Sequence, residues 1–226
     1  MSCPAFGIPL CGGRFYFMSL INELINDGYL KIPEIIQAFR IIKRQDFVLV
    51  DDRGQAEADL PLGIGYGQTI SQPATVAFML EKLKPKSGEK ILDIGCGSGW
   101  TTALLAQIVG GRGRVYGLER IEALTDFAIA NVNKYNFIKN RVVHIIGSDG
   151  FFGLSEFSPF DKIIASAAAD EIPEAWLRQL KIGGRLIAPI GENLKSQSLT
   201  VAEKITDQEF KIKKYPGFIF VPLVKN

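Results

Sequence analysis

The sequence predicts an α/β protein: a doubly wound, mostly parallel sheet of seven strands, with a helical N-terminal region and an antiparallel C-terminal strand region. Three observations predict it. From Lys90 onward, apolar strand-like runs alternate with helical patterns, which implies a parallel sheet covered on both faces. One of those runs, Ile91-Leu92-Asp93-Ile94, passes straight into a glycine turn, Gly95-Cys96-Gly97-Ser98-Gly99, and then into a helix. The last three strand-like runs are joined by links too short for a crossover helix, so that end must be antiparallel. A length of 226 residues suits one domain, and 47% apolar with 22% charged residues is ordinary globular composition.

Residues 1–17 are apolar but broken by Pro4, Gly7, Pro9, Gly12 and Gly13. They lack the basic start and unbroken run of a secretory signal. Ile8-Pro9-Leu10-Cys11 is a poor lipoprotein cleavage box, because Leu10 is too large. Met18 opens an amphipathic helix with Ser19 as its cap. We therefore read 1–17 as an extension or a misassigned start, and 18–226 as a single domain.

Helices are expected over 19–27 and 34–43, the second with Pro33 at its first position. A polar connection, Asp51 to Asp59, leads to Gly65-Tyr66-Gly67-Gln68-Thr69-Ile70-Ser71-Gln72-Pro73. This segment has no hydrophobic period and is costly to order unless something uses it. A helix follows over 73–84, offering Val76, Phe78, Met79, Leu80 and Leu83 to the core. Strands are expected at 90–94, 114–119, 141–146, 161–166, 184–190, 198–205 and 218–224, and helices at 100–109, 122–134 and 173–180.

Composition removes several function classes. Net charge is +2 with both signs interspersed, so the basic stripe of a nucleic-acid binder is absent. No stretch is long enough to span a bilayer. Cys3, Cys11 and Cys96 form no Cys-x-x-Cys, which fits a reducing, cytoplasmic compartment. The single histidine, His144, lies in a strand-like run, and a protein metal site needs three or four ligands, so no metal is expected.

The glycine turn points to a nucleotide-like cofactor. Its glycines allow a tight turn and close ligand approach, and the following helix offers free N–H groups. The next strand ends in Glu119, placed to accept ribose hydroxyls. Two cofactor classes compete. Dinucleotide folds space their glycines G-x-G-x-x-G, whereas this chain reads G-x-G-x-G behind Asp93. That spelling favours S-adenosyl-L-methionine, whose ammonium needs an anionic or carbonyl-rich neighbour. Cys96 lacks an adjacent base and reads as a small tolerated residue. Ser148-Asp149-Gly150, after the 141–146 strand, is placed to meet an adenine; its alternative reading is an ordinary Asp-Gly turn.

With both glycine blocks placed, the chain resembles the protein-L-isoaspartate O-methyltransferase family over roughly residues 20–224. The resemblance rests on Leu62 through Pro73, Leu92 through Gly99, Ser148-Asp149-Gly150, Ala167-Ala168-Ala169, Glu171-Ile172-Pro173, Gly183-Gly184-Arg185-Leu186 and Phe220-Val221-Pro222-Leu223-Val224. It implies a Rossmann-like S-adenosylmethionine methyltransferase fold. It also implies methyl transfer from S-adenosyl-L-methionine to the α-carboxylate of isoaspartyl residues in damaged proteins, by a monomer. By position it makes Ser71 the active-site serine, with Gln68, Thr69 and Ile70 lining the cofactor. Asp93, Gly95, Gly97, Ser98, Glu119, Arg120, Asp149 and Gly150 fall on the cofactor side. Ile64, Gly65, Ala168, Val221 and Pro222 fall on the peptide side.

Asp170 stands where the family often has proline, and the 42–48 segment lacks the common Val-Pro-Arg spelling. Asp170 keeps alive a related carboxyl methyltransferase acting on a dedicated peptide or small-molecule acid. A non-catalytic adaptor would not need Ser71, Glu119 and Asp149 together. A nucleic-acid amine methyltransferase would carry Asn or Asp and two prolines where this chain reads Ser166-Ala167-Ala168-Ala169.

Overall fold

The computed structural model describes residues 19–192 and 196–224; the reading of 1–17 lies outside the described residues. Two short helices come first, α1 (Leu20–Asn26) and α2 (Pro33–Ile41), the latter with proline in its first turn. Ser19 stands at the head of α1 but caps it through its carbonyl, which accepts the Asn22 and Glu23 N–H groups, and not through its hydroxyl. A hairpin follows, β1 (Leu62–Gly65) and β2 (Gln68–Ile70), then α3 (Pro73–Leu83).

The α/β unit comprises β3 (Lys90–Ile94), α4 (Trp100–Val109), β4 (Arg114–Glu119), α5 (Glu122–Asn133), β5 (Val143–Gly147), β6 (Phe160–Ala165), α6 (Glu174–Gln179), β7 (Leu180–Ile190), β8 (Ser198–Lys204) and β9 (Phe210–Pro216). The sheet order is β5-β4-β3-β6-β7-β8-β9. Strands β3 to β7 run parallel, and β8 and β9 are antiparallel. Alternate residues serve two apolar layers. Ile91, Val115, Ile164 and Ile187 join the side with α3, α4 and α5, while Leu92, Ile163, Leu186 and Ala188 join Phe160 and the α6 residue Trp176. A sheet buried on both faces explains why its central strands read as continuous apolar runs. Among the described residues, no helix is long and apolar enough to cross a membrane.

Two expectations need correction. The seventh strand is Phe210–Pro216, not 218–224, which forms only a bridge between Ala168 and Pro222. Its sequence, Phe-Lys-Ile-Lys-Lys-Tyr-Pro, is that of a lysine-rich edge, and a search for apolar runs passes over it. The costly segment around Gly65 is a hairpin. Tyr66 (φ 55°) and Gly67 (φ 70°) form its two-residue turn, the positive-φ pair such turns need.

The strand order reverses at β3, which has β4 on one side and β6 on the other. Ligands of open α/β sheets bind beyond the carboxyl ends of the strands at such a switch point.

Candidate active site

A cleft opens there, beyond the carboxyl ends of β3, β4 and β6 and beside the β1–β2 hairpin. Its floor is the glycine turn. Gly95, Gly97 and Gly99 have φ of 72°, 54° and 87°, and the Gly95 and Cys96 N–H groups donate to the Leu118 carbonyl at 2.9 and 3.0 Å. The turn is thus pinned to β4. A Cβ on Gly99 would stand 2.8 Å from Val132 and 3.3 Å from Ala128 of α5, so only glycine lets α4 start there.

Glu119 closes the turn from the side. Its Oε2 accepts the Gly97 N–H at 3.0 Å and its Oε1 accepts the Ile121 N–H at 3.0 Å. This arrangement bears on the ligand. In a dinucleotide site the amides of the glycine turn face a pyrophosphate. Here a carboxylate already holds the Gly97 amide, and its charge would repel phosphate. This acceptor suits a ligand bearing hydroxyls and a cation.

Asp149 forms the next wall. Its Oδ1 accepts the Phe151 N–H at 2.9 Å, and the Ser148 N–H donates to the Glu119 carbonyl at 3.0 Å. A Cβ on Gly150 would meet Ile94 at 2.5 Å, and the Gly150 carbonyl accepts the Trp176 indole N–H at 2.9 Å. That glycine is required by packing, beyond any role in an Asp-Gly turn.

The far walls come from both ends of the described chain. On one side stand Ile64, Gln68, Thr69, Ile70 and half-buried Ser71; the Ile64 tip lies 3.2 Å from where a Cβ on Gly97 would be. On the other stand Val221 to Val224. The buried Gln197 amide fixes this strip by donating to the Phe220 carbonyl at 3.1 Å and accepting the Phe220 N–H at 2.6 Å. The Ala168 N–H donates to the Val221 carbonyl, and the Leu223 N–H to the Ala168 carbonyl.

The cleft brings together Ile64, Gln68, Thr69, Ile70, Ser71, Gly95, Gly97, Ser98, Glu119, Arg120, Asp149, Gly150, Val221 and Pro222. Three expected residues do not line it. Gly65 lies just past the wall, at the hairpin turn. Ala168 faces an adjoining groove with Asp170 and Glu171. Asp93 is fully buried, and its Oδ2 accepts the Thr102 hydroxyl at 2.6 Å. It therefore does not present a carboxylate to the cleft surface. Burial pushes Asp93 up to about 7; the Thr102 hydrogen bond opposes that shift and the Glu119 charge adds to it. Burial also raises the Cys96 thiol well above its usual value, in keeping with a packing role.

Sequence reasoning missed Trp100, Ile121, Ser148 and Ser166 as wall residues. A positional signal would have found them: each lies within a few residues of the carboxyl end of a parallel strand, or directly after the glycine turn.

A switch-point cleft floored by a glycine turn, with an acid closing the second parallel strand, defines a Rossmann-like protein with a site for a nucleoside-bearing cofactor. The family model described as Protein-L-isoaspartate(D-aspartate) O-methyltransferase matches residues 17–226, and the chain belongs to that family. It is 40% identical over 205 residues to the protein-L-isoaspartate O-methyltransferase of Methanopyrus kandleri, covering 91% of this chain and 89% of that one. It is 41% identical over 207 residues to the Ignicoccus hospitalis protein of the same name, covering 92% and 96%. A Plasmodium falciparum protein-L-isoaspartate O-methyltransferase (beta-aspartate methyltransferase), solved in complex with S-adenosyl-L-homocysteine, matches with a TM-score of 0.83 at 27% identity, covering 92% of this chain and 97% of that one.

Proposed function

We propose that this chain transfers the methyl group of S-adenosyl-L-methionine to the α-carboxylate of L-isoaspartyl residues in damaged proteins. The methyl ester then cyclises to a succinimide without further catalysis, and hydrolysis of the succinimide restores part of the aspartate. The observation that carries this reading is the meeting, in one cleft, of the Gln68–Ser71 wall, the Val221–Leu223 wall and the glycine turn with Glu119. Family membership supplies the reaction class.

The residues fit the cofactor. Glu119 would accept the ribose hydroxyls, and Asp149 with Gly150 would receive the base. Gly95, Gly97, Ser98 and Arg120 would border the cofactor, with Gln68, Thr69 and Ile70 across from them. Asp93 would not touch the cofactor; it supports the turn from below, as a buried carboxyl bonded to Thr102. When bound, S-adenosyl-L-methionine supplies an electrophilic methyl on a sulfonium. The protein needs no strong base, because a carboxylate with a pKa near ~4 is ionised at neutral pH. Its task is orientation, which can contribute on the order of 7–11 kcal/mol. Ser71 orients the incoming carboxylate, and Ile64, Gly65, Ala168, Val221 and Pro222 approach the peptide. We read the protein as a monomer in the cytoplasm, its cysteine usage fitting a reducing compartment.

Asp170 is exposed and lies outside the cleft lining, which gives the alternative of a dedicated acid substrate no footing at the reacting carboxylate. The test is transfer of labelled methyl to an isoaspartyl peptide and to its aspartyl twin. Labelling of the first alone is expected. Equal labelling of both, or of neither with cofactor bound, overturns the proposal.

A further inference from the structure

Arg44 lies in a single 3-10 turn after α2 and is 3% exposed, with no salt-bridge partner among the described residues. Its two terminal nitrogens are spent on carbonyls, while the buried Nε has no hydrogen-bond partner among the described residues. Nη1 donates to Ala56 and Ala58, each at 3.2 Å, and Nη2 donates to Leu60 at 2.8 Å and to Ser71 at 3.2 Å. Its plane also approaches the Trp100 ring, 5.4 Å from the centroid. Trp100 is the first residue of α4, directly after the glycine turn, and lines the cleft together with Ser71.

We infer that Arg44 is a positioning residue for methyl transfer, setting the Ser71 wall against the glycine-turn wall; this rests on the role proposed above for Ser71. A buried charge costs several kcal/mol unless its hydrogen bonds are well made. What this one returns is specific. Two irregular stretches, residues 56–60 and the segment of Ser71, converge on its fork, and the second carries the candidate catalytic hydroxyl. Asp59, in the stretch that Arg44 holds, completes the brace. It accepts the Ala74 N–H at 2.7 Å and the Gln72 amide at 2.9 Å, so Ser71 is fixed on both sides. Burial lowers Arg44 to about 10, opposed by the nearby Asp59 and Glu57 charges, so it remains a cation at neutral pH. Lysine cannot replace it, because a point charge has neither the fork nor the planar face.

The test is a double-mutant cycle with Arg44→Lys and Ser71→Ala. In the wild-type background Arg44→Lys should lower kcat at least ~10-fold, with KM for the peptide within ~3-fold. In the Ser71→Ala background it should lower kcat less than ~2-fold. A loss of the same factor in both backgrounds, or no loss in the first, overturns the inference. Should Arg44→Lys fail to fold, Asp59→Ala probes the same brace, and a smaller loss that also vanishes in the Ser71→Ala background is expected. Amide exchange needs no substrate. Arg44→Lys should speed exchange at residues 69–71 at least ~10-fold more than in β3 and β4, whereas uniform acceleration refutes positioning. If the wild-type protein leaves isoaspartyl peptide unmethylated, the proposed function fails, and exchange still decides whether Arg44 holds the Ser71 wall.

Discussion

One glycine-rich turn floors the cleft and another tips the hairpin that walls it, and they use glycine for different reasons. The turn at Gly95–Gly99 is built into the core. Its preceding strand is almost wholly buried, its amides are tied to Leu118 and Glu119, and added atoms at Gly99 would strike α5. The turn at Gly65–Gly67 belongs to a hairpin that pairs with nothing in the main sheet, and a Cβ on either glycine meets no atom within 4 Å. There glycine answers only to its positive φ. One turn is a fixed floor held by packing, and the other a wall held at its base by Arg44 and Asp59.

The largest effect that sharpens this contrast is Gly99→Ala against Gly67→Ala. Collision and strain together should cost Gly99→Ala roughly 3 kcal/mol of stability. Gly67→Ala should cost about 1–2 kcal/mol, from φ alone. Urea unfolding of both decides it, and equal losses would erase the distinction between floor and wall.

Next come the roles on each side. Glu119→Ala should weaken cofactor binding by ~10- to 100-fold, the worth of a charged hydrogen-bonding group, measured by calorimetry with S-adenosyl-L-homocysteine. Ser71→Ala should leave that affinity within ~3-fold and lower turnover instead. The reverse pattern would exchange the functions assigned to the two walls.

The smallest effect lies beneath the floor. Between the unfolded carboxylate value near ~3.9 and about 7, folded Asp93 holds a proton that the unfolded chain has released. Its contribution is therefore full at low pH, falls as pH rises through this window, and is gone above it. Stability should drop by roughly 2 kcal/mol between pH 5 and pH 8, and Asp93→Asn should flatten that slope. An unchanged slope in the variant would place the titration elsewhere.

The floor was the more legible of the two. An apolar strand, a glycine turn, a helix and a distant acid are all local signals, and α4 and β4 fall where periodicity places them. The wall was harder. Gly63 and Gly65 dilute the alternation of Leu62 and Ile64, and Tyr66-Gly67 is not a common hairpin pair, so the segment looked shapeless. Asp93 was read as an anionic neighbour for the cofactor's ammonium, yet strand alternation turns it toward Thr102. Arg44 gave no signal, since a charged residue in a short polar turn reads as solvated. Its burial depends on carbonyls 12 to 27 residues away.

The Gln197–Phe220 amide pair ties the last wall of the cleft into place. The cleft joins residues more than 150 positions apart in the chain, Ile64 and Val221 among them. During synthesis every parallel strand leaves the ribosome before Phe220 does. A nascent chain can therefore assemble its sheet and glycine floor while one side of the cleft is still missing.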